Sequence, residues 1–170
     1  IVLEEGKICE WDWLMSDMMS IDQDHVMIGF LTPGVKIYNK KNHTFHSPSG
    51  IVTNRDNVLW NTVSSLLIDS QKRFLLGSSL FGLCEYLPDK DSIISYEKSK
   101  DLPYGLNTSG INCLFEDRSN NLWIGTRDKG LFRIHPDHQL IQFIPTVQYP
   151  ENAITNSNLS RCYCHTRRPS

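Results

Sequence analysis

Three tetrapeptides, each of three apolar residues closed by a glycine, recur 48 residues apart: Val26-Met27-Ile28-Gly29, Phe74-Leu75-Leu76-Gly77 and Leu122-Trp123-Ile124-Gly125. Five residues beyond each stands a second glycine, Gly34, Gly82 or Gly130, followed by Val35, Leu83 or Leu131. Two glycines held in register three times mark an internal repeat, and a period of roughly 40 to 50 residues belongs to propellers and solenoids. Asp69 and Asp117 share the register, as do Phe45, Ile93 and Ile141.

The tetrapeptides are apolar at successive positions instead of alternating, so both faces of that strand must be covered. One solvated sheet cannot do this. Four-stranded sheets standing around an axis can, because each blade is covered by its neighbours. Every repeat reads as four short strands with no sustained helical period. Leucine-rich repeats would need a period of roughly 20 to 29 residues and helices. The predicted fold is therefore all-β, a partial β-propeller of about three four-stranded antiparallel blades. Strands are expected over 18–21, 25–30, 35–38 and around Phe45, then over 63–68, 73–77, 83–87 and 92–96, with 110–144 repeating the set.

On this reading 1–14 holds outer strands of a preceding blade, 15–62 blade one and its connection, 63–109 blade two and its connection, and 110–152 blade three. Residues 153–170 keep the start of a fourth repeat in Ile154-Thr155-Asn156-Ser157-Asn158-Leu159 and then lose the pattern, a truncated or aberrant end. Closed propellers have about four to eight blades, so three repeats predict either a piece of a longer array or ends that associate with something else. A first residue other than Met agrees with a piece of something longer.

Composition narrows the class of partner. With 39% hydrophobic and 21% charged residues the chain belongs with folded proteins. Its 17 basic and 19 acidic residues, net charge −2, carry no electrostatic footprint for nucleic acid or an anionic membrane. No apolar run reaches the roughly 18 residues of a membrane span, and the first residues lack the pattern of a signal peptide. The five cysteines, Cys9, Cys84, Cys113, Cys162 and Cys164, have no framework spacing and read as small buried hydrophobes.

The third repeat is the most specific. Leu114-Phe115-Glu116-Asp117-Arg118-Ser119-Asn120-Asn121-Leu122-Trp123-Ile124-Gly125-Thr126, followed by Gly130-Leu131, resembles the two-component regulator propeller repeat. That family's pattern is an aliphatic inner strand, an Asp, a polar turn, then aliphatic-Trp-aliphatic-Gly-Thr and Gly-Leu. The family's turn glycine is Asn120 or Asn121 here. The second repeat keeps Asp69, Gly77, Gly82 and Leu83 but has Leu75 for Trp and Ser78 for Thr, and the first keeps mainly Gly29 and Gly34. The resemblance spans residues 15–145 and implies a sensor: the extracytoplasmic, periplasmic propeller of an inner-membrane hybrid histidine kinase that detects glycan breakdown products. It also implies that catalysis lies elsewhere in the parent and that this segment uses no cofactor. An oligosaccharide, and either the remaining blades of the parent or further copies of the chain, are the implied partners.

In a meander the turns between second and third strands share one face with the connections leading to the next blade. That face collects Trp60, Tyr104 and Arg127, whose rings and guanidinium suit a flat polar ligand such as a sugar. Packing of Trp60 and Tyr104 onto the blades is the competing reading. Trp123 occupies the position of Met27 and Leu75 and is expected in the core. Asp69 and Asp117 follow inner strands at turns, where a carboxylate accepts from backbone amides two residues on.

Other chemistries lack their motifs. The Gly-x4-Gly pairs are followed by Val, Leu and Leu instead of Lys-Ser/Thr, so no nucleotide site is expected. His43-x-x-His46, His135-x-x-His138 and Cys162-x-Cys164-His165 have no acidic or cysteine partners at ligand spacing, so no metal site is expected. Neither a nucleophile elbow nor a paired-carboxylate arrangement appears. Two alternatives stay open, since propellers host unrelated functions: a fragment of a sialidase-like or lyase-like enzyme with its active residues in other blades, and a protein-interaction propeller.

Overall fold

Each repeat folds into its own antiparallel meander, and the meanders agree with one another residue by residue. The computed structural model describes residues 14–31, 34–50, 62–79, 81–96, 110–127, 129–135 and 141–144. Blade one is built from β1 (Met15–Ser20), β2 (His25–Phe30), β3 (Val35–Asn39) and β4 (Thr44–His46), hydrogen-bonded in that order. After β5 (Ser49–Gly50), blade two contains β6 (Val63–Ile68), β7 (Phe74–Ser78), β8 (Gly82–Leu87) and β9 (Ser92–Ser95). Blade three contains β10 (Ile111–Glu116), β11 (Leu122–Thr126), β12 (Leu131–Ile134) and β13 (Ile141–Ile144). Among the described residues the helical content is one 3-10 turn, Pro88–Lys90.

The 48-residue register holds at the level of backbone pairing. Met18 faces Ile28, Leu66 faces Leu76 and Leu114 faces Ile124 across the first hairpins. Tyr38 and Phe45, Tyr86 and Ile93, Ile134 and Ile141 are partners across the last. Even the irregularity repeats: a register shift falls between Met15 and Asp17, between Val63 and Ser65 and between Ile111 and Cys113. Such a bulge lodges one extra residue, Ser16, Ser64 or Asn112, and turns its side chain out of the alternation.

Two details differ from the sequence reading. The inner strand of blade one begins at Met15 instead of 18, because Met15 takes the place that Val63 and Ile111 take in the other blades. Blade two has a fifth strand, since the start of the expected 46–62 connection pairs in parallel with β9, Ser49 opposite Ser92 and Gly50 opposite Ile93. The Ser49 N–H and Oγ both donate to the Asp91 carbonyl, at 2.8 and 2.9 Å. An outer strand's unpaired backbone is a template for such an addition.

The core lies between the sheets. Met27, Val35 and Ile37 of blade one pack with Val63, Leu66, Leu76, Cys84, Tyr86 and Ile93 of blade two. Leu75 and Leu83 of blade two pack with Ile111, Leu114, Leu122 and Ile124 of blade three. A Cβ on Gly29 would stand 2.9 Å from Val63 Cγ1, and one on Gly77 would stand 2.6 Å from Ile111 Cγ2. In blades one and two the first glycine thus lets the next blade's inner strand close on it, whereas a Cβ on Gly125 would stand 2.5 Å from Cys113 Sγ of its own blade. Cys84 and Cys113 are buried.

Candidate functional site

The second glycine of each repeat sits in a tight turn with φ of 94° at Gly34, 65° at Gly82 and 79° at Gly130, where a side chain would be strained. The residue just past the second strand then reaches back to the start of the blade. Leu31 N–H donates to the Leu14 carbonyl at 2.9 Å, Ser79 N–H to Thr62 at 3.3 Å and Arg127 N–H to Gly110 at 2.8 Å. One end of every blade is therefore a row of equivalent positions, Leu31, Ser79 and Arg127, of which Arg127 alone is charged.

Around Arg127 the backbone is well held. Thr126 Oγ donates to the Gly130 carbonyl at 2.8 Å and accepts from Lys129 N–H at 3.0 Å. The Arg127 side chain starts over Gly110, where a Cβ would lie 2.9 Å from that of Arg127, and it is exposed. An arginine guanidinium offers a planar fork of donors to hydroxyl or carboxylate oxygens. Leu14 and Leu31 are exposed at the same end of blade one. Trp60 and Tyr104, the aromatic members of the sequence-derived platform, lie outside the described residues.

The opposite end is built on the turn aspartates. Asp117 accepts from Ser119 N–H at 2.8 Å, Asn121 N–H at 2.9 Å, the Asn121 amide and Trp123 Nε1 at 2.8 Å. Asp69 accepts from Arg73 N–H at 2.8 Å and Arg73 Nε at 2.6 Å. Blade one has Ile21 in this place, and Asp22 takes over the turn, accepting from the N–H groups of Asp24 and His25 while facing His25 Nδ1 at 2.9 Å. Asn120 has φ 60° and Lys72 φ 64°, so Asn120 is the residue that stands where the family has its turn glycine.

The Trp123 indole, foremost, and the Asn121 and backbone donors hold the Asp117 carboxyl down at about 2, against an ordinary 3.8. The folded state favours the carboxylate, so its contribution is complete above about pH 4 and disappears as pH falls toward 2. Asp117→Asn is expected to lower the melting temperature at neutral pH and to flatten its fall between about pH 4 and 2. A variant whose acid limb matches that of the parent would contradict this role.

Trp123 is half-buried, unlike Met27 and Leu75 at its position. The Arg133 guanidinium lies 5.8 Å from its ring centre and bonds Gln142 Oε1 at 2.6 Å. His43 Nδ1 is 2.8 Å from the Tyr38 hydroxyl, and His46 Nε2 is 3.2 Å from Asp91. No cluster of three or more metal-ligating side chains occurs among the described residues.

Sequence reasoning missed the polar ties between blades. Ser16 Oγ donates to the Val63 carbonyl at 2.5 Å, and Ser64 Oγ donates to that of Ile111. One residue on, Asp17 accepts from Leu66 N–H at 2.7 Å and Ser65 Oγ accepts from Leu114 N–H at 3.1 Å. Ser70 donates through both N–H and Oγ to Glu116. The 48-residue spacing of Ser16 and Ser64 was the available signal.

Residues 105–128 match the family model described as two component regulator propeller. The chain is 25% identical, with a TM-score of 0.55, to a solved extracellular domain from B. thetaiotaomicron described as that of a one component system, covering 81% of this chain and 18% of that one. A second extracellular domain from B. thetaiotaomicron, described as that of a hybrid two component system, aligns with TM-score 0.56 at 17% identity over 76% of this chain and 15% of that one. The WD40 β-propeller domain of Doa1 aligns with TM-score 0.50 at 9% identity over 74% of this chain and 37% of that one, a likeness of fold. Among curated protein sequences none matches. The chain spans less than a fifth of the two extracellular domains. No helix among the described residues is long and apolar enough to cross a membrane. With its recurring blades and its third repeat, the chain is a section of β-propeller that carries a repeat of the two component regulator propeller family.

Proposed function

We propose that this chain is a ligand-sensing section of an extracytoplasmic, periplasmic propeller in a two-component signalling receptor, non-catalytic in itself, with oligosaccharides as its ligand class. The observation that carries the reading is the third repeat, whose match to the family coincides with a fold shared with extracellular domains of signalling systems. The blade ends bearing Arg127 supply the binding face. Trp60 and Tyr104, on the connections into blades two and three, provide its stacking surfaces. Blade one and its connection take 15–62, blade two and its connection 63–109 and blade three 110–152, with 1–14 as outer strands of a preceding blade and 153–170 as a truncated or aberrant start of a fourth.

Calorimetric titration of the chain with a panel of neutral and acidic oligosaccharides tests this. Saturable heat with at least one member is expected, and Arg127→Ala should weaken binding about tenfold, the loss of one or two charge-assisted hydrogen bonds. Silence across the panel would overturn the ligand class.

A further inference from the structure

The two turns at the foot of blade one are clasped together through a histidine. His25, the first residue of β2, holds its Nδ1 at 3.0 and 2.9 Å from the two carboxylate oxygens of Asp22, in the turn from β1. Its Nε2 lies 3.0 Å from Asn39 Nδ2, at the end of β3. The sister blades do not repeat the pair: Arg73 and Asn121 stand at the place of His25, and Leu87 and His135 at that of Asn39.

The bonds around Asn39 decide which protons the imidazole carries. Asn39 Oδ1 accepts from the N–H groups of Lys41 and Asn42, at 2.9 and 3.3 Å. That sets the orientation of the side-chain amide and leaves Nδ2, a donor, facing His25. Nε2 must therefore accept, so the single proton of the neutral ring is on Nδ1 and is donated to Asp22. A second proton, on Nε2, puts donor against donor. Turning the Asn39 amide over offers no escape, since Nδ2 would then face the two backbone N–H groups. The bond from His25, foremost, and that from the Asp24 N–H keep the Asp22 carboxyl below the usual carboxylate range. An imidazolium therefore stays with the Asp22 anion, and the contact given up is the one with Asn39.

We propose that this clasp is an acid-sensitive switch, in which His25 on gaining its second proton releases Asn39 and with it the turn 40–43 that the Asn39 amide caps. Other ties join the two turns in either state: Lys41 Nζ lies 2.7 Å from Asp24, and Lys40 donates to the Asp24 carbonyl through N–H and to that of Gln23 through Nζ. The switch thus reshapes the turn without opening the blade. The other titratable groups at this foot, among the described residues, come from both sides of the joint. Blade one supplies His43, whose Nδ1 is 2.8 Å from the Tyr38 hydroxyl, and His46. Blade two supplies Tyr86, which feels the Asp22 charge and donates to Asp91 at 3.0 Å, and Asp91 itself, 3.2 Å from His46 Nε2.

Nuclear magnetic resonance of the isotopically labelled 170-residue chain tests the proposal. At neutral pH, long-range proton–nitrogen correlations should show His25 in the Nδ1–H form, the minor tautomer of free histidine. Between about pH 8 and 5, the span over which histidines change charge, the Asn39 side-chain amide and the Lys41 and Asn42 N–H signals should shift in step with the His25 ring. Asn39→Asp keeps an acceptor for the two backbone N–H groups and supplies one for Nε2–H, so the turn signals should lose that step while the signals of blade three stay those of the parent. His25→Gln, which gains no proton, should lose it too. An Nε2–H ring at neutral pH, turn signals that stay still while the ring gains its proton, a ring still uncharged at about pH 5, or an acid step that survives either substitution would each overturn the proposal.

Discussion

Leu75→Ala is expected to destabilise the chain by about 2 to 5 kcal/mol, the range for truncating a large aliphatic side chain in a close-packed core. Leu75 is 1% exposed and projects from blade two into the cluster formed with Ile111, Leu114, Leu122 and Ile124 of blade three. Each sheet is fixed by its own hydrogen-bond ladder, so neither side can collapse into the space left by the lost carbons. Ile94, a branched residue of similar size exposed on β9, makes the comparison: Ile94→Ala should change stability by no more than about 0.5 kcal/mol. Urea midpoints of the two variants decide the matter, and equal costs would mean that the joint between blades two and three is not where the stability lies.

Gly77→Ala adds one methyl group and is expected to cost about 1 to 3 kcal/mol by overpacking. The new Cβ would lie 2.6 Å from Ile111 Cγ2, and Ile111 is wholly buried and pinned by the bond that its carbonyl accepts from Ser64. Ile111→Ala removes the obstructing atoms at the cost of a cavity. The double variant should therefore be less damaged than the sum of the single ones, with a coupling of about 0.5 to 3 kcal/mol. Additive effects in the same urea measurement would show that the glycine is there for another reason, such as backbone freedom alone.

The blade pattern was legible because it is written in residues with narrow physical roles. Gly29 and Gly77 tolerate no Cβ against the next inner strand, and Gly34, Gly82 and Gly130 occupy a left-handed turn, so substitutions at either place are costly and the period survives. Asp69 and Asp117 were legible as turn residues for the same reason, each accepting from the backbone it caps. The bulge was not, since Ser16, Ser64 and Asn112 differ from an ordinary strand residue only in where the backbone places them. Nor was β5, two residues long, whose existence depends on the free edge of β9 and the turn at Asp91 instead of on any pattern of its own. At the candidate ligand face the sequence showed residue types suited to sugars, and the structure locates Arg127 among them at the end of blade three.

The ties that Ser16 and Ser64 make to the following sheet have an evolutionary corollary. Donor and acceptor stand 47 positions apart, and the return bonds at Asp17 and Ser65 span 49, so each junction is spelled out by consecutive units and by nothing further away. An in-frame duplication or loss of a whole unit leaves every surviving junction with its full set of partners. Ring size in proteins of this kind can therefore drift by recombination without any new interface having to be invented.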